Sequence, residues 1–67
     1  MKINAFTLVS DLPENIRQQI LQEAQQTFKS LAYPVDIAEE LENVNNSKMC
    51  DIECVVDVQK YYTEHIR

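Results

Sequence analysis

Not one glycine occurs among the 67 residues of this chain. Average usage is roughly 7%, which would place about five in a chain of this length. Glycine reaches positive φ without steric penalty and lets backbone approach a ligand closely. Its absence excludes the phosphate-cradling loop, the dinucleotide-binding fingerprint and the strained nucleophile elbow. Two-residue hairpins are also disfavoured, because the sequence holds no Asn-Gly or Asp-Gly pair. The chain is thereby biased towards helix, and function is left to side-chain surfaces.

Length sets a second bound. Residues 1–67 make one small domain, which buries only about 60% of the surface its unfolded form exposes. Domains of this size commonly add a staple such as a disulfide, a metal or a partner chain, so a homodimer is one expected form. A hydrophobic content of 45% is that of a folded chain. No apolar run approaches the roughly 18 residues of a membrane span. The stretch from Met1 to Val9 has one lysine and too short an apolar core for a signal peptide, and a cytoplasmic protein is expected.

Two helices have clear punctuation. Asp11, Pro13 and Glu14 fit an N-terminal cap with proline in the first turn. Leu12, Ile16, Ile20, Leu21, Ala24, Phe28 and Leu31 then recur at helical spacing, opposite a face of Gln18, Gln19, Gln22, Glu23, Gln25, Gln26 and Lys29. Tyr33-Pro34 stops this helix, because the residue before proline is pushed out of the α region, so its expected span is about 12–31. A second helix is expected at about 35–44, capped by Asp36 with Glu39, with Ile37, Ala38, Leu41 and Val44 on one face. Asn43 to Ser47 reads as a turn, with Asn45 and Asn46 best able to replace glycine in a left-handed conformation.

The segment from 49 to 67 supports two readings. Cys50, Ile52, Cys54, Val56 and Val58 alternate with Asp51, Glu53, Val55 and Asp57, as in a strand. Glu53, Asp57, Lys60, Glu64 and Arg67 also form a polar stripe on a helix, with Val55, Val58, Tyr62 and Ile66 opposite. The charge order, acids early and His65 and Arg67 late, suits a helix dipole. The favoured fold class is therefore mainly α: a three-helix small domain with an extended or β N-terminal segment. The alternative is α+β, with strands at about 2–9 and 50–58 pairing.

Chemistry is sparse. Zinc in a structural site takes four ligands, and His65 lies eleven residues beyond Cys54, about 16 Å along a helix. No metal site and no cofactor is expected, and Cys50 and Cys54 read as reduced, half-buried small hydrophobes. No pattern supplies nucleophile, base and oxyanion donors together, so the chain is not expected to be an enzyme. Charge is the stronger signal. The net charge of −5 resides entirely in residues 34–67, where three cations face eight carboxylates. Such a field repels nucleic acid and anionic membrane and favours a basic partner.

The leading expectation is a small acidic protein–protein interaction module: an inhibitor or regulator that binds a basic surface of a larger protein. A nucleic-acid-handling protein is included, carboxylates standing in for phosphates as a nucleic-acid mimic. Glu39, Glu40, Glu42, Glu53 and Asp57 are the candidate polar contacts. Tyr33, Tyr61 and Tyr62 are the candidate large contact groups, since tyrosine joins apolar area to a polar tip.

A short N-terminal strand, then Leu12-Pro13-Glu14-Asn15-Ile16-Arg17 opening a helix, then a second helix, resembles the start of a ribbon-helix-helix repressor or antitoxin over residues 3–44. That resemblance implies a dimer pairing its strands and reading the major groove, and it supplies the alternative function of a dimeric transcriptional regulator. This strand offers Lys2 and Asn4 but no run of basic readers, and the second helix is strongly acidic, whereas DNA binding needs cations against phosphates.

Overall fold

Pro13 stands at the N-terminal boundary of the first helix, α1 (Glu14–Lys29), with φ −53° and ψ 145°. Its carbonyl accepts the first intrahelical bond, from the Arg17 amide at 2.9 Å. No side chain caps this end. Asp11 belongs instead to a 3-10 turn (Val9–Asp11), closed where the Leu12 amide donates to the Val9 carbonyl at 3.1 Å. The buried stripe of α1 is Ile20, Ala24 and Phe28, four residues apart and hence one above another on a single face. The helix stops four residues short of Tyr33. The Ser30 amide bonds back to the Gln26 and Thr27 carbonyls, and its hydroxyl donates to the Thr27 carbonyl at 2.7 Å.

The computed structural model describes residues 1–64; the expectations for His65, Ile66 and Arg67 lie outside the described residues. The second helix, α2 (Ile37–Asn45), starts as its sequence predicts, the Asp36 carboxylate accepting from the Glu39 amide at 3.2 Å. Arg17 ties the two helices by donating to Asn45 Oδ1 at 3.2 Å. Asn46 ends α2 at φ −93°, not in the left-handed region. Its amide reaches the Glu42 and Asn43 carbonyls, and the Ser47 hydroxyl takes the Asn43 carbonyl at 2.6 Å. No described residue has positive φ. The turns are closed by Asn, Ser and Thr side chains, and no described position calls for glycine.

The molecule is mainly helical, but the expected third helix is absent from the described part of 49–67. Two 3-10 turns, Met49–Ile52 and Val58–Tyr61, stand in its place. A helix through this region would need the Val55 carbonyl and the Asp57 amide for its own ladder. Both are engaged by side chains of α1: Thr27 Oγ1 donates to the Val55 carbonyl at 2.8 Å, and the Asp57 amide donates to Glu23 Oε2 at 2.6 Å. Consecutive β-branched residues, Val55 and Val56, lower the helical preference that would have to compete.

The α+β alternative differs from the structure in register and extent. The N-terminal segment meets residues 47–50, not 50–58, through one antiparallel bridge between Leu8 and Lys48. Around it the Val9 amide bonds to the Ser47 carbonyl, Met49 to Thr7 and Cys50 to Ala5, at 3.0, 2.9 and 3.0 Å. A turn at Asn4–Thr7 prevents a longer ladder. There the Asn4 side chain accepts from the Phe6 amide at 2.8 Å, and Thr7 Oγ1 accepts from the Asn4 amide at 3.0 Å. The chain closes on itself where the Ile3 carbonyl accepts from the Thr63 and Glu64 amides and Thr63 Oγ1 accepts from the Ile3 amide. The backbone of the N-terminal segment is thus bonded within its own chain. One core results: Ile3, Val9, Leu12, Ile20, Ala24, Phe28, Val44, Met49, Ile52, Val56 and Val58 are buried together.

Candidate functional site

Helix α2 distributes its three glutamates over two surfaces. Val44 is buried, and Ile37 and Leu41 pack against the core, which fixes the rotation of the helix. At 100° per residue Glu39 and Glu42 then fall on the outer face, where both are exposed, while Glu40 lies on the flank and is half-buried. That flank borders a cleft of about 220 Å³. Phe28, Val44, Ile52 and Val55 form its apolar lining, and Glu40, Asn43, Asp51 and Cys54 its polar rim. The cleft exists because the 3-10 turn at Met49–Ile52 folds the chain back beside α2.

Glu53 and Asp57 border a second, smaller depression of about 140 Å³ with Val56, Val58 and Gln59. The fold therefore does not gather the five candidate carboxylates on one patch. Glu40 and Asp51 border one cleft, Glu53 and Asp57 border the other, and Glu39 and Glu42 share the outside of α2. Among the described residues, none of these six acids forms an ion pair; the pairs present are Glu14 with Arg17 at 2.7 Å and Glu23 with Lys60 at 2.5 Å. Arg17 and Lys60 are thereby engaged with Glu14 and Glu23, and no described cation forms an ion pair with the carboxylates of α2 or of residues 51–57.

The three tyrosines part company. Tyr33 is 64% exposed in the loop between the helices. Tyr61 and Tyr62 are half-buried and pack against the core. The Tyr61 hydroxyl donates to Glu23 Oε1 at 3.3 Å, and the Lys60 ammonium lies 5.3 Å from its ring centre. Burial raises the Tyr61 phenol above its ordinary pKa, with the negative charge of Glu23 adding to the effect. Burial likewise raises Tyr62, reinforced by nearby Glu53 and Cys50.

Glu23 is the residue that sequence reasoning passed over. Its spacing puts it on the glutamine face of α1, yet it gathers Lys60, the Asp57 amide and the Tyr61 hydroxyl on one carboxylate. Burial by itself would raise its pKa; the hydrogen bonds from Lys60 and the Asp57 amide outweigh that and hold it below the ordinary carboxylate value. The available signal was that Glu23 is the one acid between Asn15 and Val35, set among five glutamines.

Cys50 is half-buried, with its Sγ 3.8 Å from Asp51 Oδ1, and Cys54 is exposed; both are free thiols. Among the described residues no three His, Cys, Asp or Glu side chains converge on a position that could hold a metal ion. None of the described helices is long and apolar enough to cross a membrane. Chemically, the arrangement offers carboxylates outside any described ion pair beside apolar surface. No protein family matches the chain, and neither a curated protein nor a solved structure matches it.

Proposed function

We propose that this protein is an acidic protein–protein interaction module, an inhibitor or regulator whose α2 and following segment meet a basic surface on a larger protein. The observation that carries this reading is that, among the described residues, none of Glu39, Glu40, Glu42, Asp51, Glu53 and Asp57 forms an ion pair, while Arg17 and Lys60 pair with Glu14 and Glu23. Carboxylates outside an ion pair keep a negative field that steers and selects a cationic surface. A surface that normally holds nucleic acid is such a target, with carboxylates occupying the place of phosphates. Tyr33 is the tyrosine most open to a partner, while Tyr61 and Tyr62 are half-buried against the core. Two free thiols fit action in the reducing cytoplasm.

The test is charge reversal of Glu39, Glu40 and Glu42 to lysine, read as affinity for a partner isolated from the native host. Circular dichroism establishes that the variant keeps its fold. Binding should be abolished. Undiminished affinity in a folded variant refutes the proposal.

A further inference from the structure

The cleft between α2 and the Met49–Ile52 turn is the larger of the two depressions described above in which carboxylates border apolar residues. Its floor is apolar, built from Phe28, Val44, Ile52 and Val55, and its rim carries Glu40 and Asp51. Its volume of about 220 Å³ lies below the roughly 300–1,000 Å³ typical of small-molecule pockets, so it suits a single inserted side chain better than a whole ligand. A purely apolar insert would leave the two carboxylates desolvated without a partner, which is costly. A compact, strongly hydrated charge would gain little from the floor. The side chain that satisfies both halves has an apolar stem and a flat, weakly hydrated cation at its end.

We infer that this cleft receives one arginine side chain of the basic partner, its methylenes on Val44, Ile52 and Val55 and its guanidinium between Glu40 and Asp51. The inference rests on the reading that the partner is basic, and it names the anchor. Charge complementarity is the argument: neither Glu40 nor Asp51 is in an ion pair among the described residues. Arginine is preferred to lysine because its five donors lie in one plane and can engage two carboxylates at once, and because guanidinium is weakly hydrated and stacks on aromatic faces such as Phe28. Arginine is also the basic residue enriched at the buried centres of interfaces. Glu39 and Glu42, on the outer face of α2, act at a distance as steering charges.

The test is an NMR titration of the intact protein at low salt with a blocked alanine peptide carrying one central arginine. Counterparts with lysine and with citrulline, the neutral isostere, are run beside it. The arginine peptide should shift the amides of Val44, Ile52, Cys54 and Val55. Lysine should bind several-fold more weakly and citrulline not measurably. The isosteric pair E40Q/D51N should weaken the arginine peptide by about tenfold, the low end for close charge pairs because Asp51 is exposed, while E39Q/E42Q changes it little.

Equal losses from the two double variants, with shifts spread along α2, would overturn the cleft and leave the acidic-surface reading standing. Equal binding of the lysine peptide would overturn the arginine assignment. Absence of cleft shifts in the wild-type protein overturns the inference outright, whereas the charge-reversal experiment on the intact complex still decides the broader reading.

Discussion

Replacing Glu23 by alanine should loosen the C-terminal third of the molecule from α1. The carboxylate accepts from the Asp57 amide at 2.6 Å, from Lys60 at 2.5 Å and from the Tyr61 hydroxyl at 3.3 Å. Lys60 is half-exposed, so that ion pair adds little in water. The Asp57 amide bond is charge-assisted, a class that contributes about 1.5–3 kcal/mol. Asp57 is exposed and water can replace part of the bond, which favours the lower end. The Tyr61 hydroxyl bond adds to this, relief of the desolvation of Glu23 offsets part of the sum, and the expected cost of E23A is about 2 kcal/mol. In a domain of this size that corresponds to a fall of roughly 8–16 °C in Tm.

Glutamine at the same position can still accept from the Asp57 amide and should cost about half as much. The pH dependence has a definite sign. The folded-state pKa of Glu23 lies below its ordinary 4.5, so its contribution is complete above that value and is lost as pH falls through the depressed folded value. The wild-type protein should therefore lose stability in this acidic window, and E23Q should lose less. Urea denaturation followed by circular dichroism, repeated from neutral to acidic pH, reads both quantities. If E23A is as stable as the wild type at neutral pH, the carboxylate is not what joins the two parts.

Two further outcomes are expected. Ile20 is completely buried, so I20A should cost about 2–5 kcal/mol, enough to abolish the cooperative thermal transition of a marginal domain; a surviving sharp transition would mean the core lies elsewhere. Removing the cap of α2 with D36A should cost about 1 kcal/mol and lower Tm without changing the folded spectrum, measured by a thermal melt.

The parts legible in the sequence are those decided by neighbours along the chain. The Asp36–Glu39 cap and the Ile20, Ala24, Phe28 stripe are local patterns, and both appear where expected. The segment after Ser47 was not legible, because its conformation is decided from far away. Thr27 and Glu23 occupy a carbonyl and an amide that lie 28 and 34 residues downstream, and no periodicity encodes that competition. The same holds for the acidic surface. Composition places the charge in the second half, but the partition of Glu40 with Asp51 and of Glu53 with Asp57 depends on the fold-back at Met49. Asp51 lies inside an ambiguous alternation in the sequence, and only the fold-back puts it on the same cleft as Glu40. Tyr61 and Tyr62 resemble Tyr33 in sequence and differ from it only through packing.

The lack of any left-handed residue in the described backbone bears on the denatured state as much as on the native one. Every described position is one an L-residue can occupy without strain, so glycine would only have widened the range of conformations open to the unfolded chain. Exchanging Gly for Ala at a compatible site stabilises by about 0.4–1 kcal/mol through that route. A chain with about five fewer glycines than average thus has roughly 2–5 kcal/mol less entropy opposing its folding. That is comparable with the ~3–5 kcal/mol a single core supplies in so small a domain. Stiffness of the unfolded chain fills the role that cross-links fill in other domains of this size, and both thiols stay free.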